Sequence, residues 1–187
     1  MQFSLDMFRP SPAAHRPPSP AGRPALEYPL APVPRVAVLG LELRQESGVH
    51  SLPLWTVPQL ARLRPLALAG SWPDLAAVAR IMRAGQLRLP ELNYPLVVFT
   101  AAGSPPLSGE RHAQLWDWFG LPVFEQIRTS GGRLLASECE SREGFHLAAG
   151  TDPGELGALA VPGPCPCGSR QPLFRLAAAR ALAAAGD

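Results

Sequence analysis

Residues 95–124 read PLVVFTAAGSPPLSGERHAQLWDWFGLPVF. Pro95–Thr100 is continuously apolar, which suits a strand buried on both faces of a parallel sheet. Ala101–Pro106 is a loop at the carboxyl end of that strand, where open α/β sheets collect ligands. Ser108 then caps a helix that runs to Phe119, with Leu115, Trp118 and Phe119 on one face and Arg111, Gln114 and Asp117 on another. Gly120 closes it and Leu121–Phe124 begins the next strand. The spacing predicts that these two strands are parallel neighbours.

The same alternation extends upstream. Ser71, Pro73 and Asp74 form a helix start, and Leu75, Val78, Ile81 and Met82 continue at helical spacing through Arg83. Leu66–Ala69 is a strand and Thr56–Leu63 a short helix with Pro58 in its first turn. Arg35–Leu43 is the first strand, and Gly48 and Pro53 break the chain after it. Alternating strands and helices predict a three-layer α/β unit on a parallel sheet. After Gly131–Gly132 the pattern changes to short strands at 133–136, 145–148 and 155–160, and an alanine-rich helix is expected over 173–185. The division expected is a proline-rich extended arm over 1–34, an α/β domain over 35–132 and a β-rich metal-binding region with a C-terminal helix over 133–187. The arm carries nine prolines, which deny it helix and ladder hydrogen bonds, so it is read as extended and partly disordered: either a partner-binding arm or, the preferred reading, a leader that drapes on the domain or does nothing.

Composition narrows the function. The 187 residues are 47% hydrophobic and 17% charged, enough for a real core. The net charge of +2, with scattered arginines and no lysine, gives no electrostatic case for nucleic acid. No apolar run reaches the ~20 residues of a membrane helix. The start has no secretory apolar core, so a cytoplasmic protein is expected.

All three cysteines and one of the four histidines fall between residues 134 and 167. Cys139 and His146 are close enough in sequence for one hairpin to join them. Cys165 and Cys167 sit in a Pro-Cys-Pro-Cys-Gly bend. Three thiolates and an imidazole are the donors of a closed tetrahedral zinc shell. Reduced, unrelated cysteines are a second reading. A disulfide is a third, disfavoured because a Cys-x-Cys bridge is strained. Cytidine-deaminase spacing is not met by either pair, and nothing marks His50 or His112 as a base for Ser104.

PLALAGSWPDLAAVARIMRAGQLRLPEL (65–92), LVVFTAAGSPPLSGERHAQLWDWFGLPVFEQI (96–127) and LLASECESREGFHL (134–147) stand in an order that resembles the phenylacetate–CoA ligase-like branch of the adenylate-forming enzymes. The likeness covers about residues 64–147 and, more loosely, 155–175. It groups the same four ligands, and so implies a structural zinc held by Cys139, His146, Cys165 and Cys167. It also implies a crevice at the carboxyl ends of the two strands, lined by Ala102, Gly103, Ser104, Gln126, Arg128 and Thr129, where the family places its acyl-adenylate. Arg128 is read either as pairing with a carboxylate there or, the preferred reading, as solvated beside an empty crevice that Pro105 and Pro106 close.

The departures from the family bear on catalysis. No Ser/Thr/Gly-rich phosphate loop lies upstream. The family's tyrosine-glycine-x-threonine-glutamate motif should follow Phe124, but no tyrosine is there and no acid occurs between Glu125 and Glu138. The stretch 150–163 offers only Asp152 and Glu155 for ribose, and the family's catalytic lysine has no counterpart. Most of such an enzyme's N-terminal half is also missing. The expectation is a reduced, non-catalytic relative that does not use ATP or AMP and binds an acyl or aryl molecule or a partner protein. The alternative is a surviving acid-adenylating or CoA-ligase activity, alone or completed by a partner subunit.

Overall fold

A computed structural model describes residues 23–176. Local chemistry sets its helices. Thr56 caps α1 (Val57–Leu63) in a box with Gln59, with Pro58 in the first turn. Ser71 caps α2 (Trp72–Arg83) by accepting from the Asp74 N–H, and Trp55 Nε1 donates to Asp74 Oδ1 at 2.9 Å, tying the approach to α1 onto α2. Ser108 caps α3 (Gly109–Phe119), and Gly120 ends it at φ 67°, a left-handed turn that costs only glycine nothing.

The strands β1 (Val36–Leu39), β2 (Val49–Leu52), β3 (Ala67–Ser71), β4 (Leu96–Ala101) and β5 (Val123–Arg128) are mutually parallel, in the order β2-β1-β3-β4-β5. The register Leu96↔Val123 through Ala101↔Arg128 makes β4 and β5 the parallel neighbours expected. β6 (Leu134–Glu138), β7 (Phe145–Leu147), β9 (Leu173–Leu176) and β8 (Ala158–Val161) continue the same sheet antiparallel. Residues 132 and 133 therefore sit at a change of strand direction within one nine-stranded sheet.

The expected three layers are corrected to one helical layer. Leu60, Leu75, Val78 and Leu115 from the three helices all pack on the face made by Ala37, Leu39, Leu68, Leu96 and Val98. The steps β2→β3, β3→β4 and β4→β5 all advance across the sheet in one direction, so right-handed crossovers put every helix on one side. The step β1→β2 goes the other way, and its connection lies on the opposite face. There Leu41 and Leu43 join Leu26 and Tyr28 over Val36, Val38, Ala69 and Val97. The arm from residue 23 on thus drapes over the sheet where a second helical layer was expected. Residues 1–22 lie outside the described residues.

Two further expectations change. β2 was not anticipated, because Val49–Leu52 is a four-residue segment between two breakers. Residues 173–176 are a strand, not the start of a helix: Leu173 is buried beside the cysteines and Phe174 pairs with Phe145. The rest of the tail lies outside the described residues. Among the described residues no helix is long and apolar enough to cross a membrane.

Candidate metal centre

The four residues singled out in the sequence converge. β6 ends at Glu138, and a tight turn follows: Cys139 N–H donates to Gly144 O at 2.8 Å and Arg142 N–H to Cys139 O at 2.8 Å. β7 then carries His146 opposite Ser137. The connection between β8 and β9 supplies the second turn, closed by Gly168 N–H on Cys165 O at 3.0 Å. Pro166 presets the turn and Gly168 takes its positive φ. The two turns face each other, and the four ligand atoms lie within 4.8 Å of one another.

Cys165 is the hub. Its sulfur is 3.1 Å from Cys139 Sγ, 3.2 Å from Cys167 Sγ and 3.5 Å from His146 Nε2. His146 Nε2 is also 3.3 Å from Cys167 Sγ. The three cysteines are free, and Cys139 and Cys165 are buried. Ligands at ~2.3 Å from a tetrahedral metal stand about 3.8 Å apart, inside the range seen here. The donor set is three sulfurs and one nitrogen, with no carboxylate, which favours a soft to borderline cation over calcium or magnesium.

The surroundings prepare these atoms as ligands. His146 Nδ1 faces Pro172 O at 3.2 Å, so Nδ1 carries the proton and the Nε2 lone pair points at the sulfurs. Ser141 N–H donates to Cys139 Sγ and Ser169 N–H to Cys167 Sγ, each at 3.4 Å. Burial pushes the Cys167 thiol up to about 12. Burial also opposes ionisation of Cys165, but the hydrogen bonds from Cys139, Cys167 and Ser141 outweigh it and bring that thiol below its ordinary value. Together the four residues can hold one metal ion.

Gly144 sets how closely the two turns approach. A Cβ there would stand 2.4 Å from Phe174 O, a backbone atom that cannot swing aside. Gly144→Ala should therefore push β9 from β7 and cost about 1–3 kcal/mol, the range for overpacking. Urea unfolding of the two proteins checks this, and equal midpoints would refute it.

The expected crevice residues fall into two sets. Ala102, Gly103 and Ser104 are exposed on the loop after β4, and Thr129 lies in the turn after β5, where its Oγ1 accepts from Arg133 N–H at 3.1 Å. Ala102 N–H donates to Arg128 O at 2.7 Å, so the two segments do meet. Gln126 and Arg128 are each only 2% exposed and face the arm. Arg128 donates to Gln126 Oε1 at 3.1 and 2.7 Å, to Gly132 O at 2.7 Å and to Ala25 O at 3.1 Å. Its guanidinium lies 4.9 Å from the Phe99 ring centroid, and Gln126 Nε2 donates to Glu27 O. Arg128 is thus neither solvated nor aimed at the crevice: strand alternation turns it inward, and four of its five N–H donors are spent on the chain itself. Among the described residues no hydrogen bond joins Ser104 to a histidine.

Sequence reasoning missed Glu125. It is 1% exposed on the helical face, and its Oε1 accepts from Leu107 N–H at 2.8 Å and from the Thr100 hydroxyl, pinning the loop 101–107. The signal was an acid inside an otherwise apolar strand. Burial pushes its carboxyl up, against the pull of those two hydrogen bonds. Burial also pushes up Glu138, whose Oε2 accepts from Glu125 N–H at 2.9 Å. A carboxyl raised in the folded state keeps its proton there longer, so its contribution falls as pH rises from its unfolded to its folded value. Glu125→Gln should flatten that fall and make the protein relatively more stable at neutral pH. Urea midpoints of both proteins from pH 4 to 8 check it; a variant that loses ground steadily as pH rises would refute it.

The mixed α/β architecture with a largely parallel sheet is similar to that of 2-hydroxyisobutyryl-CoA ligase. Two solved structures of 2-hydroxyisobutyryl-CoA ligase carry the likeness. The open conformation with 2-HIB-AMP and CoA matches with a TM-score of 0.52 and 14% identity over 76% of this chain and 44% of that one. The same ligase in its thioesterification state matches with a TM-score of 0.53 and 14% identity over 77% and 43%. This chain thus spans less than half the length of those structures. No family model and no curated protein matches the sequence.

Proposed function

We propose that this chain is a non-catalytic relative of the phenylacetate–CoA ligase-like enzymes, stapled by a structural zinc and acting as a binding module. The observation that carries it is the convergence of Cys139, His146, Cys165 and Cys167 into a closed donor set on a sheet of that fold. Three thiolates and a neutral imidazole suit zinc, and with all four tetrahedral positions taken by protein the ion is structural. The reducing cytoplasm keeps such thiols available to the metal.

The case against adenylation rests on residues. The chain has no lysine, and no acid lies between Glu125 and Glu138. Glu125 itself holds a loop in place. Of the two ligand classes, the inward Arg128 disfavours an acyl or aryl carboxylate and favours a protein partner. A flat molecule that reached the exposed loop 102–104 would meet small side chains and not the Arg128 guanidinium, which faces the arm. The alternative, an acid-adenylating or CoA-ligase activity completed by a partner subunit, shares the fold.

ATP–pyrophosphate exchange with phenylacetate and benzoate separates the two. No exchange above the protein-free rate is expected. Steady exchange that disappears when Glu125 or Arg128 is replaced would overturn the non-catalytic assignment.

A further inference from the structure

Among the described residues β2 is an open end of the sheet, and a groove runs beside it. Val36 N–H donates to Gly48 O at 2.7 Å and Gly40 N–H to Leu52 O at 3.1 Å, so alternate residues of β2 turn their backbone toward β1. Those between them, Val49 and Ser51, turn theirs outward. The Val49 N–H is satisfied by Glu46 O at 2.9 Å. The Val49 carbonyl and both backbone groups of Ser51 remain on the open edge. The register with Ala37 and Leu39 puts the side chains of His50 and Leu52 on the helical face, beside α1. Between β2 and α1 lies a cleft of about 500 Å³, floored by Leu52, Pro58 and Leu63 and walled by His50, Gln59 and Arg62. Among the described residues no carboxylate lines it. Arg62 is exposed and has no ion-pair partner among the described residues. Leu54, two residues past β2, is 88% exposed.

We propose that this groove takes an extended acidic segment of a partner protein by strand addition to β2. The segment's main chain pairs with Ser51 and the Val49 carbonyl, alternate apolar side chains cover Leu52, Pro58 and Leu63, and a carboxylate meets Arg62. An edge strand beside a helix provides both requirements of this mode, main-chain pairing and a side-chain groove. The positive, acid-free wall selects the sign of the partner's charge. The assignment deepens the binding-module proposal by naming its surface. It fails separately from that proposal, because metal retention and pyrophosphate exchange do not report on these residues.

The test uses the full chain, labelled for amide NMR, and a capped eight-residue peptide in which valine and glutamate occupy every second position in turn with threonine between them, so that both lie on the one strand face that meets the groove. Expected are shifts at residues 49–52, 57 and 59–63, and slowing of Ser51 amide exchange by about tenfold or more once the edge is paired. Arg62→Glu, and separately glutamine in place of the peptide's glutamates, should each weaken binding by about tenfold, while a valine–lysine peptide gains on Arg62→Glu. No response at millimolar peptide, shifts elsewhere, or binding indifferent to Arg62 overturns the proposal. So does a Ser51 amide already protected without peptide, whether deletion of residues 1–22 or dilution of the protein exposes it.

Discussion

Replacing Cys165 with serine should empty the metal centre. Wild-type protein is expected to carry one equivalent of zinc, and the variant less than about one tenth, since structural zinc supplies on the order of 10 kcal/mol of apparent binding energy shared over its ligands. Cys165 is the ligand to choose because its sulfur touches all three others, at 3.1, 3.2 and 3.5 Å. A serine hydroxyl stays protonated at neutral pH and is a hard donor, so it does not stand in. The melting temperature should fall by on the order of 10 °C, as a loss of several kcal/mol does in a chain of this size. The β6–β7 and β8–β9 turns would lose the ion that holds them together, while the parallel strands keep their apolar core. Elemental analysis and calorimetry decide it. Full zinc content in Cys165→Ser, or wild type with less than about one tenth of an equivalent, would remove the zinc assignment.

Arg128→Met should cost about 1–3 kcal/mol, the range for leaving buried acceptors without their donor. The substitution keeps much of the side chain's bulk but leaves Gln126 Oε1, Gly132 O and Ala25 O without their donor. Burial already pulls the guanidinium down to about 10, with Glu27 opposing, so it remains charged at neutral pH. Arg128→Lys should rescue little, because an ammonium cannot reproduce the fork that reaches Gln126 twice and two carbonyls as well. The arm is the reporter. With Arg128 gone, Ala25 loses its tie to β5 and Gln126, which holds Glu27 O, loses the donors that orient it, so thermolysin should cut before Leu26 at low protease. A variant as stable and as resistant to cleavage as wild type would show that the arm is held by Leu26 and Tyr28 alone.

Much of the helical face was legible because its signals are local. Ser71, Pro73 and Asp74 act within one turn, as do Ser108 and Gly120, and caps of this kind need no distant partner. The apolar run at 95–100 was likewise sufficient to place β4 in the sheet interior. β2 and β9 were not legible. Each has four residues, and each is a strand because of what lies beside it: β1 for Val49–Leu52, β7 and β8 for Leu173–Leu176. An alanine-rich tail favours helix on propensity, and pairing outweighed that preference at residues 173–176.

The sequence by itself determined the donor chemistry, since only three thiols and few imidazoles exist in the chain, and it determined that helices and strands alternate from residue 57 through residue 128. Tertiary structure decided the rest. Crossover direction put all three helices on one face and left the other to the arm. Strand alternation turned Arg128 inward and Glu125 toward the loop 101–107. The meeting of two turns from distant hairpins brought Cys139 to Cys165, and the Pro172 carbonyl chose which nitrogen of His146 faces the sulfurs. Each of these depends on contacts between residues far apart in the chain, and such contacts are set by topology and packing rather than by any local run of side chains.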